Sequence, residues 1–312
     1  MHKILLYGST GWIGGQLITL LQSRGHVLGS TLILGTARLE DRTSLSAELS
    51  SVSPTRVYCA AGVTGRPNVD WCESHKVETI RANVVGTLNL ADLCEGRGVH
   101  CMIFATGCIF EYDDAHPMGS GVGFTESDEP NFDKSWYSRT KGMVETMLRS
   151  YATVLILRVR MPISDDLSPR NFVTKILKYD RVVNVPNSMT VLTELLPASI
   201  LLSERGRVGV YNFCNPGVIS HNEILDLYVK YIDASYTYTN FSLSEQSLIL
   251  AAGRSNNELD CRKLADECKE GEGAIVIHEI HEACEGVFQR MKDNLESEGV
   301  YPDNLWKRQS KV

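Results

Sequence analysis

Short apolar runs alternate with amphipathic segments through the first half of the chain. Residues 3–7 form an apolar run that predicts a strand. Gly8-Ser9-Thr10-Gly11-Trp12-Ile13-Gly14-Gly15 follows, then a helically patterned stretch over 16–21. Residues 31–34 predict a second strand, Asp41 caps a helix running to Val52, and 56–60 is a third strand ending in Ala60-Ala61-Gly62. Ile80, Val84, Leu88 and Ala91 recur at helical spacing within 77–95. A buried strand over 100–105 leads into Thr106-Gly107-Cys108. A loop rich in Gly, Pro and Asp then spans 108–135, long enough to suggest a functional role. A helix from about Tyr137 to Ser150 and a strand over 154–159 complete the alternation. Repetition of this kind predicts an α/β fold, a Rossmann-type doubly wound parallel sheet with helices on both faces.

Past Arg160-Met161-Pro162 the rhythm breaks. Short helices are expected over 171–178 and 195–202, and a strand over 208–213 that returns to the sheet. Ser220 caps a helix over 221–231, with Glu223 in the capping-box position. The remainder to about Arg290 reads as mixed. The expected organisation is a Rossmann domain over 1–165 and a smaller C-terminal mixed substrate-binding domain over 166–312, lying over the carboxyl edge of the sheet. The last ten residues are polar and expected to fray.

Composition narrows the function. The 312 residues carry a formal charge of −7, which argues against a general nucleic-acid surface. Nine cysteines, an odd number without a paired CxxC array, indicate neither a disulfide framework nor a metal site, and point to a reducing cytoplasmic setting. No apolar run reaches membrane-spanning length, and the opening apolar residues read as a strand rather than a signal.

Gly8, Gly11 and Gly14 stand at GxxGxxG spacing between a strand and a helix. Glycines there let the backbone approach a pyrophosphate held at the helix N-terminus. The expected cofactor contacts are Gly8, Thr10, Gly11, Trp12, Ile13 and Gly14, with Ala60, Ala61 and Gly62 from the third strand. The second strand ends in Gly35-Thr36-Ala37-Arg38 rather than a carboxylate. A guanidinium suits a ribose 2′-phosphate, so Arg38 favours NADP or NADPH over NAD. The competing reading makes Arg38 a surface partner of Glu40 or Asp41.

Tyr137 and Lys141 lie at i and i+4, which puts a phenol and an ammonium on one helix face. With Thr106 at a strand end, they suit reduction of a carbonyl: Tyr137 supplies a proton, Lys141 eases its transfer, and Thr106 hydrogen-bonds the same oxygen. Both Tyr137 and Lys141 are also expected to touch the cofactor. Cys108 adds a second acid or base, against the alternative of a small packing residue.

These features together resemble the extended short-chain dehydrogenase/reductase superfamily. Several segments narrow the resemblance: Gly65-Arg66-Pro67-Asn68, Val69-Asp70-Trp71-Cys72-Glu73, Ala105-Thr106-Gly107-Cys108-Ile109-Phe110, Arg158-Val159-Arg160-Met161-Pro162-Ile163, Pro186-Asn187-Ser188-Met189-Thr190 and Arg254-Ser255-Asn256-Asn257-Glu258-Leu259-Asp260. Over about 3–260 the chain resembles the nucleotide-rhamnose synthase/epimerase-reductase family. That resemblance implies conversion of a UDP- or dTDP-4-keto-6-deoxy-D-glucose to the L-rhamnose nucleotide, by inversion at C3 and C5 and reduction of C4 with NADPH. It implies Cys108 and Lys175 as the proton-exchanging pair, with Lys178 the rival if the helix register differs. It implies Arg254 and Asn256 as nucleotide-side contacts and Asn171 as a sugar-nucleotide contact. Arg254 suits a diphosphate, against the alternative of a salt bridge to Glu258. His75, His116 and His221 read as structural. The implied partners are the nucleotide sugar, an upstream 4,6-dehydratase in the pathway, and a second copy in a homodimer. Competing readings are a 4-ketoreductase without epimerase activity, a non-catalytic NADP-binding regulatory subunit, and an epimerase-reductase for another deoxysugar such as a fucose nucleotide.

Overall fold

The computed structural model describes residues 2–65 and 68–299. The terminal fraying expectation and the Arg66-Pro67 part of one motif lie outside them. In chain order the elements are β1 (Ile4–Tyr7), α1 (Trp12–Ser23), β2 (Leu32–Leu34), α2 (Arg42–Val52), β3 (Arg56–Cys59), α3 (Trp71–Ser74), α4 (Lys76–Ile80), a π-helical turn (Arg81–Val85), α5 (Gly86–Glu95), β4 (His100–Thr106), α6 (Trp136–Leu148) and β5 (Val154–Val159). Then come α7 (Phe172–Ile176), β6 (Arg181–Val182), α8 (Leu192–Glu204), β7 (Gly209–Phe213), α9 (His221–Tyr231), β8 (Thr239–Asn240), α10 (Leu243–Ile249), α11 (Arg262–Lys269) and α12 (Ile280–Ser297).

Six strands form a sheet in the order β2-β1-β3-β4-β5-β7, every neighbouring pair parallel. Successive strand residues face opposite sides. Ile4, Leu6, Tyr58, Met102 and Leu157 enter one core with α1 and α8; Leu5, Tyr7, Val57, Ile103 and Ile156 enter the other with α2, α5 and α6. This is the expected doubly wound sheet. Its chain order reverses between β1 and β3, which opens a crevice at the carboxyl ends of those strands.

The strand expected over 208–213 returns to the sheet as β7, and it does not return alone. Leu192, Leu195 and Leu202 of α8, Phe213 of β7 and Leu264 of α11 share the core that holds Leu17 and Leu21 of α1. The second half of the chain therefore completes the sheet body as well as forming a smaller layer. That layer packs α7, α9 and α12 around Val173, Leu225, Tyr228 and Phe288, beside the two-stranded β6–β8 pair. Helix α12 lies in the segment read as mixed. Its buried Ile280, Ala283, Cys284, Val287 and Met291 recur at helical spacing, a pattern diluted by charged neighbours. The Ser220–Glu223 capping box forms as expected.

The glycine turn is fixed by contacts within the protein. Gly8 has φ +81°, and a Cβ there would stand 2.4 Å from the Ala61 amide nitrogen. A Cβ on Gly14 would stand 2.1 Å from the Gly8 carbonyl oxygen. Gly14→Ala is therefore expected to destabilise the fold by about 1–3 kcal/mol, the usual cost of overpacking. Chemical denaturation checks it: a lower midpoint at unchanged slope is expected.

Candidate active site

The crevice contains a cavity of about 410 Å³. Gly11, Trp12 and Ile13 form its wall at the start of α1. No side chain caps α1, and its first turn carries no acidic residue, so this end suits an anion. Gly8 and Gly14 shape the turn from behind, and Thr10 is exposed. Ala60, Ala61 and Gly62 line the cavity after β3. The next residue is pinned by Asn83 in the π-helical turn: its Oδ1 accepts from the Val63 N–H at 2.8 Å, and its Nδ2 donates to the Val63 carbonyl at 2.7 Å.

Arg38 stands apart from the cavity wall. Its side chain is 79% exposed, and its Nε donates to Glu40 at 2.9 Å, which is the surface pairing weighed as the alternative. The turn after β2 is held by Glu48, unnoticed in the sequence. Glu48 accepts from the Thr36 N–H and hydroxyl, each at 2.8 Å, and from the Tyr7 phenol at 2.7 Å.

Ser135 caps α6, its Oγ accepting from the Ser138 N–H at 3.0 Å. Glu145 on the same helix pairs with Arg158 of β5 at 2.7 Å, with both side chains buried, and this locks α6 to the sheet. Tyr137 and Lys141 are thereby buried at the cavity wall together with Thr106. Burial, and then the neighbouring Cys108, push the Tyr137 phenol well above its ordinary value, against the pull of Thr106. Raised in this way, the phenol keeps its proton at neutral pH, as a proton donor must.

Burial holds Lys141 below the usual lysine range, and among the described residues no carboxylate pairs with it. An apolar replacement removes that penalty. Lys141→Met is expected to raise the thermal midpoint at neutral pH by about 2–4 °C, the response of such a domain to ~1 kcal/mol. The ammonium is disfavoured in the folded state. Its destabilisation is thus full at low pH, starts to fade as pH passes the lowered folded value, and vanishes above the ordinary lysine value of 10.5. Melting curves of both proteins across pH 7–11 should therefore converge at the alkaline end.

Cys108 is the partly exposed cysteine; the other eight are buried. It lines the cavity, and its sulfur accepts a hydrogen bond from Arg160 at 3.3 Å. Lys175 of α7 lines the same cavity, whereas Lys178 is exposed. Burial lowers the Lys175 pKa, the Arg170 cation lowers it further, and Cys108 acts in the opposite direction. Asn171, implied by the resemblance as a sugar-nucleotide contact, sets this register as the cap of α7. Its Oδ1 accepts from Val173 and its Nδ2 donates to the carbonyls of Ser164 and Asp166, with the side chain fully buried.

Arg254 lines the cavity but pairs with Asp70 at 2.8 Å, not with Glu258. Asn256 is turned aside, its Oδ1 accepting from Asn187 at 3.0 Å. Sequence reasoning missed Arg170 and Ser255 at the wall and Arg160 behind it. The available signal for Arg160 was a second arginine two residues after Arg158, at the end of an apolar strand. His75 stacks on Trp71, His116 stacks on Phe124, and His221 packs edge-on to Phe172. Among the described residues no group of His, Cys, Asp and Glu could hold a metal ion, and no helix is long and apolar enough to cross a membrane.

Among the described residues, four cationic side chains, Lys141, Arg170, Lys175 and Arg254, line this cavity, and no carboxylate does. The wall therefore favours anionic ligands. Its hydroxyl, phenol, thiol and ammonium groups are equipped for proton transfer at a carbonyl and at the carbons beside it.

Residues 1–193 match the family described as RmlD substrate binding domain. The chain is 59% identical over 269 residues to an Arabidopsis thaliana protein named bifunctional dTDP-4-dehydrorhamnose 3,5-epimerase/dTDP-4-dehydrorhamnose reductase, covering 86% of this chain and 88% of that one. It is also 59% identical over 269 residues to an Arabidopsis thaliana trifunctional UDP-glucose 4,6-dehydratase/UDP-4-keto-6-deoxy-D-glucose 3,5-epimerase/UDP-4-keto-L-rhamnose-reductase, covering 86% of this chain and spanning 40% of that longer protein. Among solved structures, the L780 UDP-rhamnose synthase of Acanthamoeba polyphaga mimivirus superposes with a TM-score of 0.85 at 35% identity, over 93% of this chain and 99% of that one.

Proposed function

The chain belongs to the RmlD substrate-binding-domain family, and from that premise we propose that it is a bifunctional 3,5-epimerase/4-ketoreductase. Its substrate is UDP-4-keto-6-deoxy-D-glucose, or the dTDP form, and its product the L-rhamnose nucleotide. One observation carries the reading: Cys108 and Lys175 face the same cavity as Thr106, Tyr137 and Lys141. A plain ketoreductase needs only the latter three. A regulatory subunit needs none of the five.

The chain's own residues fit NADPH. The uncapped start of α1 at Gly11 suits a pyrophosphate. Gly62 leaves room beside Lys141, whose Nζ is 3.8 Å from where a Gly62 Cβ would stand. Lys141 brings a cation without a carboxylate partner. When bound, NADPH supplies the hydrogen and electron pair delivered to C4. Arg38 takes the 2′-phosphate by giving up Glu40. Arg38→Ala should then raise the KM for NADPH by about tenfold and leave that for NADH nearly unchanged, as loss of a charge-assisted bond predicts.

The 4-keto group acidifies the protons on C3 and C5. Either Cys108 or Lys175 removes such a proton, and the other returns one from the opposite face. Thr106 and Tyr137 hydrogen-bond the enolate oxygen. Tyr137 then gives its proton to the C4 oxygen as the ketone is reduced. Arg254 and Arg170 supply cations for the nucleotide diphosphate. A 4,6-dehydratase activity supplies the substrate. The unpaired cysteines support a cytoplasmic setting. Exposed Val85, Met143 and Met147 on the neighbouring π-helical turn and α6 support a homodimer.

The test incubates the protein with NADPH and UDP-4-keto-6-deoxy-D-glucose in deuterated water. NADPH oxidation with deuterium at C3 and C5 of an L-rhamnose product supports the reading. Oxidation that yields a D-sugar without deuterium leaves a plain ketoreductase. NADPH binding without turnover of the UDP or dTDP substrate moves weight to another deoxysugar or to a regulatory role.

A further inference from the structure

We propose that Arg160 is the positioning residue of the Cys108 proton step: its guanidinium fixes the sulfur and faces the negative charge that the sulfur carries whenever its proton is on the substrate. The inference rests on the epimerase reading above and goes beyond it in naming what sustains the thiol chemistry.

Arg160 follows the last residue of β5 and is fully buried. Room for its stem comes from Gly107, where a Cβ would stand 2.9 Å from Arg160 Cγ. Nη1 donates to Cys108 Sγ at 3.3 Å and to Ser255 Oγ at 2.9 Å; Nη2 donates to Asn187 Oδ1 and, at 3.0 Å, to the Ser255 carbonyl. Every one of these partners is uncharged in the resting protein or, for sulfur, chargeable. Among the described residues no carboxylate forms an ion pair with Arg160. Arg158, two residues earlier and just as buried, pairs with Glu145. A buried cation without a counterion is expensive to keep. Of the groups in hydrogen-bond contact with it, the Cys108 thiol is the one that becomes an anion.

The surroundings hold the guanidinium on this target. Ser255 donates its own hydroxyl proton to the Phe110 carbonyl at 2.6 Å, which turns an Oγ lone pair toward Arg160. Asn187 donates its Nδ2 to Asn256 Oδ1 and to the Val185 carbonyl, which presents its Oδ1 to Arg160. Asn256, expected from the sequence to touch the nucleotide, thus supports Asn187. The nearby imidazole of His221 does not compete for the positive charge. Burial, and then the Arg160 cation, hold its pKa at about 4.

The proton step balances. When Cys108 acts as acid, its S–H bond breaks as a C–H bond forms from the enolate pair, and the S–H electron pair stays on sulfur beside Arg160. When it acts as base, that sulfur pair takes the proton and the C–H pair passes into the enolate.

Two rates are measured for wild type, R160Q, R160K, C108A and the double variant R160Q/C108A. One is inversion-coupled deuterium incorporation from the 4-keto-6-deoxy-D-glucose nucleotide. The other is NADPH oxidation with the already inverted 4-keto-L-rhamnose nucleotide. R160Q is expected to lower deuterium incorporation by about 100-fold, the lower range for a general acid–base contribution, while reduction falls far less. R160K, which keeps a cation in a poorer geometry, should recover about tenfold of that loss. The double variant should be no slower than C108A, because Arg160 acts through the sulfur. Ser255→Ala, which keeps the cation but removes the hydroxyl that aims it, should lower incorporation several-fold and leave reduction nearly unchanged. Equal loss of both rates, multiplicative losses in the double variant, or full incorporation in R160Q overturns the inference. Absence of incorporation in wild type overturns the epimerase reading itself, and this inference with it.

Discussion

Tyr137→Phe is expected to lower NADPH-dependent reduction of the 4-keto sugar by about 10²–10⁴-fold, the span of a positioned general acid. The change removes one oxygen from a buried side chain whose proton is held firmly by its surroundings. At neutral pH the phenol is therefore already in the protonated form that the developing alkoxide needs. Thr106 stands at the same wall, but its oxygen already accepts from the Cys108 N–H at 3.1 Å. The loss should appear in kcat more than in KM, since the proton is needed in the transition state rather than in substrate binding. Inversion-coupled deuterium incorporation should fall less, because Thr106 still meets the enolate oxygen. Single-turnover absorbance at the nicotinamide band, with deuterium incorporation in parallel, separates the two steps. Equal loss in both would place Tyr137 in the binding of substrate instead.

Cys108→Ala and Lys175→Met are each expected to remove inversion at C3 and C5, again by about 10²–10⁴-fold. Reduction of the already inverted 4-keto-L-rhamnose nucleotide should fall far less. The two groups approach the cavity from different elements, one after β4 and the other from α7. That separation suits a proton removed on one face and returned on the other. Lys175 is also held below the usual lysine range, which brings its neutral form closer to working pH. Product stereochemistry by NMR checks the prediction. An L-rhamnose product from either variant at near wild-type rate would assign the exchange to another group.

The fold class was legible in the sequence because its signals are local. Each strand of the sheet is a short apolar run bounded by a turn, and every side-chain face of such a strand is buried in a doubly wound body. The Asp41 and Ser220 caps mark helix starts by hydrogen bonds within three residues. The pairing of Tyr137 with Lys141 follows from helical period alone. The glycine turn is partly local as well, since a Cβ on Gly14 would meet the backbone of Gly8, six residues away.

What the sequence left open involves contacts between residues far apart in the chain. Beyond the return of the 208–213 strand, α8 and α11 also bury their apolar faces on the first half's sheet, a choice that no local pattern reveals. Lys175 and Lys178 are three positions apart on one short segment; only the Asn171 cap and the packing of α7 turn the former to the cavity and the latter to solvent. Arg254 and Asn256 sit in one motif, yet Asp70 and Asn187 draw them to different tasks. Arg160 meets Cys108, Asn187 and Ser255 across separations of 52, 27 and 95 residues. The sequence by itself determined the alternation, the caps and the chemical inventory, because those depend on near neighbours and residue type. The tertiary structure alone decided which cations are neutralised and which remain to act. A charge's role depends on the groups that share its buried volume, and that volume is assembled from the whole chain.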